Sequence, residues 1–103
     1  GERVHIPPPP TIADGLRVQI PGAITFPILQ KLAEDVLVVS EEEIMETLRV
    51  VLFRMKLLVE TSGVTAAAAV LFGKLPANTR RVGVILSGGN IDPDQLAKVI
   101  ASS

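Results

Sequence analysis

The chain has 103 residues, enough for one small domain, and its ten basic and eleven acidic residues give a net charge of −1. Because there is no long basic block, nucleic acid is disfavoured as a partner. The absence of cysteine excludes disulfides, thiolate metal sites and cysteine nucleophiles. No apolar run is long enough to cross a bilayer, so no membrane association is expected and the predicted location is the cytoplasm.

The composition predicts that part of the apolar surface contacts another polypeptide. Hydrophobic residues make up 48% of the chain, which is more than a lone domain of this length easily buries. The predicted partner is either the remainder of a larger domain or another copy of this chain.

Residues 1–10 are predicted to be an extended proline-rich tail, and residues 11–103 to form a single α/β domain. The run PPPP enforces polyproline geometry and offers no backbone donors to a sheet. His5 is the only histidine, and no carboxylate or cysteine stands at ligand spacing from it. A solvated side chain is therefore favoured over a metal ligand, and no metal site is predicted.

The next predicted elements are a helix and a strand. Ile28, Leu29, Leu32 and Ala33 recur at helical spacing, and residues 36–39 form a continuous apolar run. Such a run is typical of a strand that is buried on both faces.

A capping box predicts the start of a long second helix. The hydroxyl of Ser40 can accept the amide N–H of Glu43, whose carboxylate can accept the N–H of Ser40. The acidic residues of the first turns suit the positive end of the helix dipole and are most simply solvated; they are Glu41, Glu42, Glu43 and Glu46. Met45 and Met55 are predicted to fill the core at helical spacing.

The second half of the chain predicts two more helices and one more strand. VTAAAAVLF is typical of a helix that Gly73 and Pro76 end, and residues 82–86 lack polar alternation, as a buried strand does. Asp92 caps a last helix with Pro93 at its first position. The predicted fold class is therefore α/β, with few strands flanked by about four helices in the order helix, strand, helix, helix, strand, helix. Two strands leave unpaired edges, so further strands are expected from the N-terminal segment, a symmetry mate or a companion chain.

The stretch SGGN, residues 87–90, lies between the second predicted strand and the last helix. This order places Ser87 and the amides of Gly88, Gly89 and Asn90 at the end of a strand, where open α/β sheets bind ligands. The stretch is neither a dinucleotide fingerprint nor a phosphate loop, so spacing alone favours a structural turn over a binding site.

Four segments taken in order make the pattern specific. They are TIADG at 11–15, SEEEI at 40–44, RMKLLVETSG at 54–63 and VILSGGNID at 84–92. Together they resemble the C-terminal part of the catalytic domain of the threonine and serine dehydratases, relatives of serine racemase, which are pyridoxal-phosphate enzymes of fold type II. The likeness covers nearly the whole chain from Thr11 onward and implies a partial, incomplete domain of that fold.

The resemblance implies four cofactor-binding residues. The serine of the family's SGGN turn hydrogen-bonds the pyridine nitrogen of the cofactor and matches Ser87, and Gly88 follows it in the same turn. The glycine of the family's TIADG segment lies beside the phenolic oxygen of the cofactor and matches Gly15. The glutamate of the family's EPxG segment lies near the ring and matches Glu60, while Thr61 stands here in place of the family's proline.

The resemblance also implies an activity for the intact enzyme. A serine hydroxyl leaves the pyridine nitrogen largely unprotonated, so the ring is a weaker electron sink, which suits β-elimination over transamination. The intact enzyme is expected to convert L-threonine or L-serine to a 2-oxo acid and ammonia. The choice between threonine and serine, and between deamination and racemisation, stays open.

Three parts of the family's site have no match in this sequence: the Schiff-base lysine, the tetraglycine phosphate loop and an acidic segment that binds a divalent cation. No catalytic residue is assigned, because Lys31, Lys56, Lys74 and Lys98 lie outside the family's lysine motif. The chain alone is expected to be inactive and to bind pyridoxal phosphate weakly or not at all. The alternative is a stand-alone, non-catalytic module that joins its own copies through unpaired strand edges.

Overall fold

The computed structural model describes residues 1–102, which form helices joined by long irregular connections. The four α-helices are α1 (Thr25–Leu32), α2 (Glu41–Val50), α3 (Thr65–Leu71) and α4 (Pro93–Ala101). Two 3₁₀ turns, Asp14–Leu16 and Thr61–Val64, and a π-helical turn, Val51–Met55, complete the regular structure of this part of the chain. No helix among these residues is both long and apolar enough to span a membrane. Ser103, the last residue of the domain predicted over 11–103, lies outside the described residues.

The starts of α2 and α4 confirm the predictions from their capping signals. Ser40 Oγ accepts the N–H of Glu43 at 3.2 Å, and the Glu43 carboxylate accepts the N–H of Ser40 at 2.8 Å. Asp92 caps α4 by accepting a backbone N–H at 2.8 Å, and Pro93 occupies the first helical position. Both caps satisfy amides that a helix leaves without internal partners.

The two predicted strands are wrong, and with them the α/β fold class. Within residues 1–102 no segment is a strand, and residues 36–39 and 82–86 share no backbone hydrogen bond. A strand exists only through a hydrogen-bonded ladder to a neighbour, and an apolar run does not supply that neighbour. Val36, Val38 and Ile85 are each 80% exposed instead of buried.

The second helix is shorter than its apolar pattern predicts. After Val50 the chain forms the π-helical turn, and Lys56 then takes a left-handed φ of 60°. A left-handed residue ends a helix and redirects the chain. Met45 is partly buried against the core, as predicted, whereas Met55, the last residue of the π-helical turn, is 53% exposed.

A small aliphatic core joins α2, the 3₁₀ turn Thr61–Val64 and α4. Its buried members are Ala13, Ile44, Leu48, Val51, Val59, Val64 and Val99. Val64 and Val99 are fully buried. Since Ala13 belongs to this cluster, the loop that contains Gly15 is held against the core.

The N-terminal segment lies beside residues 19–21. The N–H of Ile6 donates to the carbonyl of Gln19 at 2.9 Å, and Arg3 Nε donates to the carbonyl of Pro21 at 2.7 Å. These contacts are isolated hydrogen bonds and form no strand in the described part of the chain.

Candidate functional site

The SGGN turn packs against residues 58–63. The N–H of Ser87 donates to the carbonyl of Gly63 at 3.3 Å, and the N–H of Glu60 donates to the carbonyl of Gly88 at 3.3 Å. Gly88 has a φ of 79°, and a side chain there would collide with the carboxylate of Glu60. The structure therefore brings Glu60, Ser87 and Gly88 together at one corner of the molecule.

Gly63 permits this close approach of two backbone segments. A Cβ at Gly63 would collide with the carbonyl oxygen of Ser87 and would lie 2.8 Å from Val59 Cγ1. A Cβ at Gly89 would lie 3.0 Å from the carbonyl oxygen of Leu58. The spacing between the two segments thus depends on residues that have no side chain.

Gly15 lies on a neighbouring loop that contacts the same corner. Its N–H donates to Ser62 Oγ at 2.9 Å and to Asp14 Oδ1 at 2.9 Å. A Cβ at Gly15 would lie 3.0 Å from Ser62 Oγ. Because Ser62 follows Glu60 by two residues, the structure brings the fourth predicted residue close to the other three.

Three side chains anchor the peptide groups of Ile12 at the base of this loop. The N–H of Ile12 donates to Glu41 Oε2 at 2.8 Å. Its carbonyl accepts Thr61 Oγ1 at 2.8 Å and Gln95 Nε2 at 3.4 Å. Glu41 therefore binds a loop and is more than the solvated helix start that the sequence predicted.

Sequence reasoning missed these loop anchors because their partners are far away along the chain. The separations from Ile12 are 29 residues for Glu41, 49 for Thr61 and 83 for Gln95. The one available signal was Thr61, which replaces a proline in the resembled motif. Glu60 keeps φ −81° and ψ 164°, the extended backbone that a residue before proline adopts.

The side chain of Ser87 is exposed to solvent. Among the described residues, Ser87 forms a hydrogen bond through its backbone N–H alone. A hydroxyl group can donate one hydrogen bond and accept others. The Ser87 hydroxyl is therefore available to a polar atom of a ligand.

The contacts of the lysines involve other parts of the molecule. Lys56 Nζ donates to a backbone carbonyl of the π-helical turn at 2.7 Å, and Lys74 Nζ lies 2.8 Å from Glu43 Oε1. Lys31 and Lys98 are exposed on α1 and α4. Within residues 1–102, no three side chains of His, Asp or Glu lie close enough together to hold a metal ion.

A larger concavity lies away from the corner. It has a volume of about 980 Å³ and runs along α2 and the π-helical turn, where acidic and basic side chains such as Glu46, Arg49 and Arg54 line it. Ser87, Gly88 and Glu60 are not part of its lining. The corner itself is built from a hydroxyl, a carboxylate and backbone without side chains.

Known proteins share both the sequence and the structure of this chain. The profile of the family described as pyridoxal-phosphate dependent enzyme matches residues 1–88. L-threo-3-hydroxyaspartate ammonia-lyase from Pseudomonas sp is 41% identical over 100 residues, which cover 97% of this chain and 31% of that protein. Serine racemase from Schizosaccharomyces pombe is 40% identical over 101 residues, which cover 98% of this chain and 31% of that protein. The crystal structure of the threonine deaminase from T.th. superposes with a TM-score of 0.80 at 40% identity, covering 87% of this chain and 30% of that one.

These similarities identify a fold-type-II domain of the threonine and serine dehydratase kind. The chain belongs to the family of pyridoxal-phosphate dependent enzymes. Pyridoxal phosphate is accordingly the cofactor of the intact enzyme. The chain spans about a third of the length of the curated relatives that it matches.

Proposed function

We propose that this chain is the C-terminal segment of a pyridoxal-phosphate dependent threonine or serine dehydratase. It supplies the wall of the cofactor site that faces the pyridine nitrogen. The observation that carries the proposal is the convergence of Ser87, Gly88, Glu60 and Gly15 at one corner. The matched relatives include ammonia-lyases and a threonine deaminase, which supports conversion of L-threonine or L-serine to a 2-oxo acid and ammonia by the intact enzyme.

The chemistry of the corner suits a planar heteroaromatic ring, because it offers a neutral hydroxyl and glycine backbone. The bound cofactor supplies an electron sink for the reaction. The Ser87 hydroxyl hydrogen-bonds the pyridine nitrogen without the charge of a carboxylate partner. Gly15 and Gly88 carry no side chain, and Ser62 Oγ and the Glu60 carboxylate lie close to where a Cβ at these two positions would be.

The first test is binding of the ring to the purified chain. Pyridoxine 5'-phosphate is the chosen probe, because it carries the ring and the phosphate but no aldehyde that could form imines with surface lysines. Because the phosphate loop and the Schiff-base lysine have no match in this sequence, we expect any binding to be weak. In a titration to high probe concentration followed by amide NMR shifts, we expect the shifts to be confined to Gly15, Glu60 and residues 87–90.

Ser87→Ala is expected to weaken this binding by about tenfold, the effect of one lost hydrogen bond to the ring. Ser102→Ala is the matched control, since it removes a hydroxyl at the end of α4 whose contact is to the carbonyl of Val99. Equal affinity of Ser87→Ala and the control would contradict the proposed role of the hydroxyl.

The wall described here includes no amine for a Schiff base, so we expect no ammonia release from L-threonine or L-serine by the chain alone. A colorimetric ammonia assay on the purified chain with added pyridoxal phosphate checks this. Sustained ammonia release from either amino acid would contradict the proposal that this chain supplies a wall of the cofactor site but no Schiff-base lysine.

A second candidate function is a non-catalytic module that associates with its own copies. The exposed aliphatic side chains favour it, among them Val36, Val38 and Ile85. Strand edges play no part in it, because the described residues contain no strand. Light scattering discriminates: a monodisperse monomer contradicts self-association, whereas recovery only together with a larger polypeptide supports the dehydratase segment.

A further inference from the structure

Two hydroxyl groups link the loop that carries Gly15 to the segment that carries Glu60. Thr61 Oγ1 donates to the carbonyl of Ile12 at 2.8 Å, and Ser62 Oγ accepts the N–H of Gly15 at 2.9 Å. The two hydroxyls belong to consecutive residues, and their partners lie at both ends of a four-residue stretch. The loop is therefore fixed at two points to one short segment.

The Thr61 contact is the less exposed of the two links. Thr61 is fully buried, and the Ile12 carbonyl that it reaches also accepts the N–H of Asp14 at 2.9 Å. If this hydrogen bond opened, the buried Thr61 hydroxyl would be left without a partner, which costs free energy. The Ile12 carbonyl would still accept from the Asp14 N–H and from Gln95 Nε2. The Ser62 contact lies at the surface, next to Gly15 itself.

The same segment also sets the position of the SGGN turn. The N–H of Glu60 and the carbonyl of Gly63 pair with Gly88 and Ser87. Residues 60–63 thus hold the SGGN turn through backbone groups and the Gly15 loop through the two hydroxyls. The SGGN turn and the Gly15 loop, which are the two parts that the proposed cofactor ring contacts, are therefore attached to one four-residue segment.

We infer that Thr61 and Ser62 are positioning residues, whose hydroxyls hold Gly15 at a fixed place relative to Ser87 and Glu60 before the ring binds. This inference rests on the proposed function of the corner. Neither hydroxyl is assigned a contact with the cofactor. Both act through the backbone of residues 12–15. Preorganisation of this kind favours binding, because the loop loses less conformational entropy on association.

Hydrogen exchange of the purified chain tests the link without any cofactor. Thr61→Val keeps the shape and removes the hydroxyl, and we expect the amides of residues 13–15 to exchange about tenfold faster, as for the loss of one buried hydrogen bond. Thr61→Ser restores the hydroxyl and is expected to return exchange close to that of the unchanged chain. Ser62→Ala provides a second variant at a less buried position, with faster exchange expected at Gly15.

Thr47→Val is the matched control. Thr47 is also buried, and its hydroxyl donates to the carbonyl of Glu43 at 2.7 Å within α2. Exchange at residues 13–15 should not change in this variant. Equal acceleration in Thr47→Val and Thr61→Val, or unchanged exchange in both Thr61→Val and Ser62→Ala, overturns the inference.

Binding of pyridoxine 5'-phosphate to the same variants connects the link to the site. We expect Thr61→Val to bind the probe about tenfold more weakly and Thr61→Ser to recover the affinity. Faster exchange with unchanged affinity overturns the positioning role. If the unchanged chain does not bind the probe, this wall alone does not hold the ring, and the exchange data still decide whether the two hydroxyls couple the segments.

Discussion

At Gly63 a single hydrogen in place of a side chain decides whether the two halves of the corner touch. A Cβ at this position would meet the Ser87 carbonyl oxygen and Val59 Cγ1. The first contact is with backbone, which cannot rotate away as a side chain can. Gly83 offers a contrast, because a Cβ there would meet no atom within 4 Å.

Gly63→Ala is expected to lower the free energy of unfolding by about 1–3 kcal/mol, because overpacking forces the SGGN turn away from the corner. Gly83→Ala, the control, is expected to be neutral or slightly stabilising, since it only restricts the unfolded chain. Urea denaturation followed by circular dichroism measures both. Equal free energies of unfolding in the two variants would show that the close approach of the two segments does not require glycine at position 63.

The sequence predicts which residues form the corner but not what holds them there. Ser87, Gly88 and Gly15 stand in short motifs that are visible in the printed chain. The anchors Thr61 and Glu41 act on a backbone group 49 and 29 residues away. Such contacts depend on the fold, and no local pattern of residue types encodes them.

An ion pair ties the start of α2 to the segment after α3. Lys74 Nζ lies 2.8 Å from Glu43 Oε1. The Lys74 side chain, and after it the N–H of Ser40, lower the pKa of Glu43 below its ordinary value. A carboxyl group with a lowered folded-state pKa stabilises the fold above its unfolded pKa, and this stabilisation is lost as pH falls through the folded-state pKa.

Lys74→Met removes the charge and keeps most of the apolar stem. We expect its urea midpoint to lie below that of the unchanged chain at neutral pH, and the difference to shrink as Glu43 becomes protonated in acid. Denaturation curves across the acidic range check this. Lys98→Met is the control, since Lys98 is exposed on α4 and has no ion pair in the described part of the chain. If the difference in urea midpoint between Lys74→Met and the unchanged chain does not vary with pH, the stabilisation does not come from the ion pair with Glu43.

Among the elements, the helices follow from local signals and the strands do not. Ser40 and Asp92 cap their helices within three residues, so a short stretch of sequence contains all the groups involved. Residues 36–39 and 82–86 are apolar in the way buried strands are, but within residues 1–102 no ladder of hydrogen bonds makes either of them a strand. The left-handed Lys56 had no sequence signal either, because a lysine has no special preference for that conformation.

The molecule as a whole exposes more surface than a compact monomer of its length. Its accessible surface is 7627 Å², whereas about 5600 Å² is expected for a compact protein of this size. The radius of gyration is 14.8 Å, against about 13 Å for a compact domain of 100 residues. An excess of about 2000 Å² on one chain is larger than the roughly 800 Å² that each partner buries in a standard protein interface, and the curated relatives are about three times as long.

Exposed aliphatic surface on this scale is expected to cause association of the purified chain. Val38→Glu places a charge where the side chain is 80% exposed, so it should reduce association without disturbing the core. Sedimentation velocity at increasing concentration is the measurement. Thr79→Glu, which adds the same charge at an exposed polar position, is the control. Equal association of the two variants would contradict an origin in this apolar surface.

The hydrogen bonds to Ile12 have a consequence for protein engineering. Glu41, Thr61 and Gln95 reach this one residue from three separate elements. Grafting TIADG onto another scaffold would transfer the five residues but not the three side chains that fix the backbone conformation of the loop. A successful transplant has to carry an acceptor for one amide and donors for one carbonyl, each presented from its own direction.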